Sequence, residues 1–369
     1  MKINIIDGMI ELIQIHNYKS IRELSLPMKK INILIGANGA GKSNLISFFK
    51  MIQEIYNQRF GAYTMSQGID NILHFGRAVS DSCSGLIDFN NNNAFFFEIK
   101  PMQNRKGYIA YSGDYFNNRH EDTKDYSSWS RTFWDNNVEE SQIIENKTWR
   151  AGYLKNYLAS FTTYHFHDTS ANSPLRRESK IADNLYLRQD GSNLAAYLYL
   201  LQEKHPRSFK LIEGVIRSIA PYFQGFNLHP NRFDESVIEL EWKEKDSDMY
   251  LNGYSFSDGT IRFIALATLL LQPDTPEVII IDEPELGLHP AAIEKLASMI
   301  KRASIKSQII ISTQSSNLVD YFEAEDIVVV DRENKQSVFR RLNDEELIEW
   351  KDEYSLGQIW KKNIIGGQP

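Results

Sequence analysis

The clearest pattern in the chain is a set of short, unbroken apolar runs, INILIG (31–36), VIII before Asp282, QIII before Ser312 and IVVV before Asp331. Runs this short, without polar alternation, predict strands buried on both faces. Between the later runs the apolar residues recur at helical spacing, predicting helices at 260–271, from Ala291 to Ala303, and near 316–322. Strands alternating with helices predict a parallel α/β core. The N-terminal segment behaves differently: IELIQIHNYKSIRELSL alternates apolar with polar residues and turns at Pro27, and 83–115 reads as strands joined by turns, so the first third reads as a mixed sheet around the 36–43 loop. Residues 116–160, rich in Asn, Asp, Ser and Trp, read as loops and short helices. From 181 to 221 the spacing gives two helical pieces, broken near Pro206 and stopped by Pro221, and strands resume around 236–244 and 249–255.

Composition narrows the class. The chain has 369 residues and is 42% apolar, enough for a substantial core. No apolar stretch approaches the roughly 20 residues of a spanning helix, and Asp7 and Glu11 interrupt any export signal, so no membrane role is expected. The single cysteine, Cys83, suits a reducing compartment, and a cytoplasmic location is expected. A net charge of −7 argues against a surface that grips nucleic acid all over. The basic pairs Lys29–Lys30, Arg176–Arg177, Lys301–Arg302 and Lys361–Lys362 read as solvated surface.

The chemistry is concentrated in three places. Gly36-Ala37-Asn38-Gly39-Ala40-Gly41-Lys42-Ser43, followed by Asn44, fits G-x-x-x-x-G-K-[ST] between a predicted strand and a predicted helix. Backbone N–H groups there converge on phosphate oxygens, Lys42 supplies a point charge, and the Ser43 hydroxyl suits Mg²⁺. VIIIDEPELGLHP ends a buried strand in Asp282 and Glu283. The first is the metal candidate, and the second the general base that polarises an attacking water. FSDGT (256–260) opens the helix that leads to that strand, where Ser257 or Asp258 serves as helix cap and Gly259 relaxes the turn. His165 and His167, two apart on an expected strand, lack the further ligands of a tetrahedral metal set, and the bland reading is preferred. Trp242, Trp350 and Trp360 read as packing residues.

On these three motifs, in this order, the sequence resembles the ABC-type ATPase heads of the SMC and RecF group, and in particular the OLD-like and PtuA-like ATPases of prokaryotic defence systems. The resemblance implies an α/β ABC-type head with a mixed central sheet, an antiparallel β subdomain and a helical insertion in place of long coiled-coil arms. The expected division is an N-terminal ATPase lobe at 1–115, a mainly helical insertion at 116–235, a C-terminal lobe at 236–340 and a tail at 341–369. It also implies ATP and Mg²⁺ as cofactors and a homodimer or higher oligomer of heads. In that arrangement Ser257, Asp258 and Gly259 of one head would cap the phosphate held by another. Lys19, within IHNYKSI (15–21), stands where the family has a basic residue near the nucleotide, ELGLHP (285–290) matches the loop along the dimer seam, and Gln67 is the available choice for the glutamine loop. YHFHDTS (164–170) and the ending YSLGQIWKKNIIGGQP also look like this group, without a derivable role. Where the family commonly has a switch histidine, this chain has Gln314, which cannot carry a proton at neutral pH, so slow hydrolysis is expected. About 40 residues follow Asp331, too few for a nuclease domain. The expected partner is therefore a separate effector, a nuclease, with nucleic acid reached through the complex, in anti-phage defence. The alternative is a RecF-like DNA-binding ATPase of recombination and repair.

Overall fold

The computed structural model describes residues 9–89, 92–117, 126–350 and 353–368. Its centre is a six-stranded sheet in which Ile31–Ile35, Gln308–Thr313, Val278–Asp282 and Thr162–Tyr164 lie side by side and parallel. Ile327–Glu333 adds in parallel on the other side of Ile31–Ile35, and Gln336–Arg341 closes that edge antiparallel. Period-two alternation sorts the side chains: Ile279, Ile281, Ile309 and Ile311 enter one core, whereas Val278, Ile280 and Ile310 enter the other. Both faces are therefore apolar because both are covered. The helices Leu194–Lys204, Pro206–Ile219, Asp258–Leu271 and Pro290–Ala303 contribute to the first core, and helix Lys42–Tyr56 to the second.

A second, wholly antiparallel six-stranded sheet packs on the far side of helix Lys42–Tyr56, in the order Ile21–Pro27, Ile10–Tyr18, Cys83–Phe89, Asn93–Pro101, Gly107–Phe116 and Ser130–Val138. The first third thus builds a separate antiparallel layer and lends only Ile31–Ile35 to the parallel sheet, which corrects the single mixed sheet expected around the loop. Buried Gln308 joins the layers: its amide exchanges hydrogen bonds of 2.8 and 2.9 Å with the backbone of Ile10 and donates at 2.8 Å to Lys29 O.

Residues 116–160 differ from the loops and short helices their polar composition predicts. Ser130–Val138 is the sixth strand of the antiparallel sheet and Trp149–Ser160 is a 12-residue helix capped by Thr148. The strand was hidden because it is an edge strand, with only one face and one side engaged, so its sequence keeps polar residues. The segment 116–235 supplies strands to both large sheets as well as two of the four outer helices, which sets it within the body of the head. No helix among the described residues is long and apolar enough to cross a membrane.

Candidate functional site

The phosphate-loop sequence follows strand Ile31–Ile35 and opens helix Lys42–Tyr56. At Gly41 φ is +123°, and a Cβ there would sit 2.0 Å from Ser337 Oγ, so only glycine fits. Ser337 in turn donates to Ala40 O at 2.5 Å and shares a 2.6 Å hydrogen bond with Ser20 Oγ, which also accepts from the Asn44 amide. The loop is thereby braced by the antiparallel edge of the central sheet. Among the described residues the N–H groups of Gly39, Gly41, Lys42 and Ser43 donate to no acceptor, and the helix starts with no side-chain cap and no acid in its first turn. That is a nest for an anion. Lys42 Nζ lies over it, donating to Gly36 O at 2.5 Å and Ala37 O at 3.1 Å. Burial lowers its pKa, against the pull of the carboxylates of Glu283, Asp282 and Glu285.

Those carboxylates arrive through sheet register. Asp282 pairs with Ser312, and Ser312 with Leu34, so the acidic strand end stands two strands from the phosphate loop, at the same carboxyl edge of the sheet. The Ser312 hydroxyl donates to Asp282 Oδ1, and the Gln314 amide to Glu283 Oε1. Glu283 has a left-handed φ of +42°, sparsely populated for a non-glycine residue. Glu285 accepts from Thr313 Oγ1 at 2.5 Å and Gln314 N at 3.1 Å through one oxygen, while its other oxygen is buried with no partner among the described residues. Burial raises its pKa, and these hydrogen bonds oppose the rise.

An Mg²⁺-nucleotide fits this donor set. The nest takes phosphate, the exposed Ser43 hydroxyl has no partner among the described residues, and Asp282 adds a hard carboxylate oxygen. No group of three or more His, Cys, Asp or Glu among the described residues would hold a metal by protein ligands alone.

Ser257–Gly259, Lys19 and Gln67 lie apart from this cluster. Ser257 caps helix Asp258–Leu271, its Oγ accepting from Thr260 N at 3.2 Å; Ser257 and Asp258 are exposed, Gly259 is half-buried, and among the described residues no hydrogen bond links 257–259 to the phosphate loop. Asp258 pairs with buried Arg176 at 2.8 Å, and a Cβ on Gly259 would meet Gly287 O at 2.6 Å, so this segment is seated on the ELGLHP loop. Lys19 donates to Ser47 Oγ at 2.9 Å and, with Ser20, Asn44, Phe75, Arg332 and Lys335, lines a cleft of about 600 Å³. Gln67 lines that same cleft, and the residues after Tyr164 lie beside Asp282. His165 and His167 follow the strand Thr162–Tyr164 rather than lying on it, and His167 Nε2 contacts Asp282 O at 2.7 Å. Arg176, expected with Arg177 on the solvated surface, is instead buried, because its guanidinium is held by the backbone of Thr169, Gly253 and Phe256, and Ser337 escaped sequence reasoning because its partners lie about 300 residues away.

Fold and site together define an ABC-type P-loop ATPase with an SMC-like head. Residues 31–320 match the family described as "AAA domain, putative AbiEii toxin, Type IV TA system", and the chain belongs to that family. Among curated proteins it is 19% identical over 382 residues to the Old nuclease of Escherichia phage P2, covering 91% of this chain and 61% of that protein. It is 32% identical over 162 residues to the energy-coupling factor transporter ATP-binding protein EcfA2 of Staphylococcus epidermidis, covering 43% of this chain and 55% of that one. The chain thus spans less than two thirds of the curated relatives it matches. Among solved structures, an Smc head bound to the C-terminal winged-helix domain of ScpA aligns with TM-score 0.62 and 17% identity, covering 92% of this chain and 99% of that one. An Smc head with an extended coiled coil, bound to the C-terminal domain of ScpA from Pyrococcus furiosus, aligns with TM-score 0.54 and 16% identity, covering 94% and 99%. These likenesses carry the fold, which is that of an ABC-type head.

Proposed function

We propose that the chain is a cytoplasmic, ATP-driven switch in which two copies close around shared nucleotide, and that it serves as the regulatory subunit of an anti-phage defence system. In this reading Gly36–Ser43 and Asn44 cradle the triphosphate, Lys42 pairs with its charge, and Lys19 lies towards the rest of the nucleotide. Ser43 and Asp282 hold magnesium, whose contribution when bound is to neutralise charge on the phosphate oxygens. Glu283 polarises the attacking water. Its hydrogen bond from Gln314 orients it, but an amide cannot relay a proton, which supports slow turnover. The observation that carries the reading is the gap in the site: Lys42, Asp282, Glu283 and Gln314 converge on one another, while Ser257 and Asp258 are exposed and, among the described residues, 257–259 makes no hydrogen bond to its own phosphate loop. A second copy would supply that missing cap. Relatedness to a protein named as a nuclease supports a nuclease as the separate effector, and the Smc heads bound to ScpA domains support docking of a partner on the head.

The test is Glu283→Gln with ATP, followed by light scattering. The variant should retain ATP and run as a stable dimer. A variant that binds ATP yet stays monomeric would overturn the reading. The SMC-like fold favours a second reading, a RecF-like DNA-binding ATPase; DNA binding by this chain alone, with affinity falling steeply as salt rises, would favour it.

A further inference from the structure

The segment Tyr164–Asp168 has no role in the reading above, yet it touches both halves of the site. Strand Thr162–Tyr164 runs parallel to Val278–Asp282 with Tyr164 opposite Ile281, so the chain leaves the sheet beside Asp282. There His167 Nε2 lies 2.7 Å from the carbonyl oxygen of Asp282. A carbonyl only accepts, so this ring nitrogen carries the proton and donates. From the other side Arg262, one turn into the helix that Ser257 caps, donates Nε to Phe166 O and an Nη to His167 O, both at 2.8 Å. Arg262 is buried and makes no ion pair among the described residues; these two carbonyls accept its hydrogen bonds, while the carboxylates of Asp258 and Glu285 act on its charge from further away. Losing them would strand a buried guanidinium, and the link between helix and segment is therefore stiff. Phe166, His167, Arg262, Leu266, Ile281, Asp282, Glu283 and Pro284 surround one small common space.

We infer that His167 is a positioning residue that couples the acidic strand end to the helix bearing Ser257–Gly259. The path runs from the Asp282 backbone through the His167 ring and the 166–167 carbonyls to Arg262. It fixes where Asp282 and Glu283 stand and carries a shift of either to the segment that would cap a neighbouring nucleotide. This deepens the proposed function and rests on it for the meaning of the shift, but the coupling lies within one chain.

Two measurements test it: ATPase assays at protein concentrations where light scattering shows wild type and variant both dimeric with ATP, and hydrogen exchange at concentrations where both are monomeric, so that failure of dimerisation is a separate result. In steady-state ATPase assays His167→Ala should lower kcat about tenfold with KM for ATP nearly unchanged, in the range expected for loss of an outer-shell hydrogen bond. His167→Gln, whose amide can still donate to Asp282 O, should recover most of the loss. In hydrogen exchange, ATP should alter protection of the amides from Thr260 to Ile264 in the wild type and in His167→Gln but not in His167→Ala, which must still bind ATP. Full kcat in His167→Ala, no recovery in His167→Gln, or an unchanged exchange response in His167→Ala would each overturn the inference.

Discussion

Two helices of this chain begin with a glycine close by and lie towards the same chemistry, yet their first turns are built in opposite ways. Helix Lys42–Tyr56 opens without a side-chain cap, leaving N–H groups of the loop unpaired within the described chain, and beside it Glu283 is backbone-strained and one oxygen of Glu285 is orphaned. Helix Asp258–Leu271 opens with its own cap, Ser257, carries an acid in its first turn, and is anchored by Arg176, which reaches Thr169 O, Gly253 O, Phe256 O and Asp258 Oδ1 at 2.7 to 3.0 Å. One terminus keeps its hydrogen-bonding capacity for a ligand. The other has spent it within the chain and offers an exposed hydroxyl and a helix dipole to whatever approaches. Catalytic ends of a fold are found where local satisfaction is incomplete.

The comparison is broken most severely at Lys42. Lys42→Ala removes the ammonium that lies over the unpaired amides, and charge-assisted contacts of this kind make a loss of about a hundredfold or more in ATP affinity the expected result. Calorimetric titration of ATP checks this, and near-normal affinity would mean the nest does not hold the triphosphate. Because burial opposes the charge of Lys42 while the nearby carboxylates favour it, and its hydrogen bonds among the described residues go to two loop carbonyls, its removal should leave the thermal midpoint without nucleotide nearly unchanged.

The reverse pattern is expected at the other terminus. Ser257→Ala deletes a helix cap and should cost about 1 kcal/mol of stability, read by denaturant unfolding. Binding of ATP to the monomer should persist, whereas ATP-driven dimerisation, read by light scattering, should weaken. Equal loss of monomer ATP affinity in both variants would erase the distinction between the two helix ends.

Much of this was legible before any fold was seen. The phosphate loop, Asp282 and Glu283 announce themselves because each sits in a contiguous string whose spacing is dictated by backbone geometry, and the strands carrying them are apolar on both faces. Ser257–Gly259 was legible as a cap for the same local reason. What stayed hidden depends on distant partners. Ser337 matters because its hydroxyl fills the space a side chain at Gly41 would need, and it lies 296 positions further along the chain. His167 matters through a backbone carbonyl 115 residues away. Gln67 was available for the glutamine loop by residue type alone, and it lines the Lys19 cleft. Edge strand Ser130–Val138 was missed because an edge imposes a weak pattern.

The smallest expected effect sharpens the comparison by asking whether the unmet hydrogen bonding at the catalytic end costs stability. Glu285 uses one oxygen for Thr313 and Gln314 and buries the other without a partner, and burial holds its pKa above the usual glutamate range. A carboxyl whose folded pKa is raised binds its proton more tightly in the native state, so its contribution to stability is full below the unfolded pKa of about 4.3 and is lost as pH rises through the folded value. Glu285→Gln keeps one carbonyl oxygen for Thr313 and Gln314 and removes the charge. The variant should therefore match the wild type at low pH and exceed it at neutral pH by about 1 kcal/mol, a shift of about 2 °C in Tm. Thermal unfolding followed between pH 4 and 8 reads that divergence. A wild type that gains on the variant as pH rises would mean that the Glu285 carboxylate is stabilised in place, and that the strain at this end of the molecule is confined to Glu283.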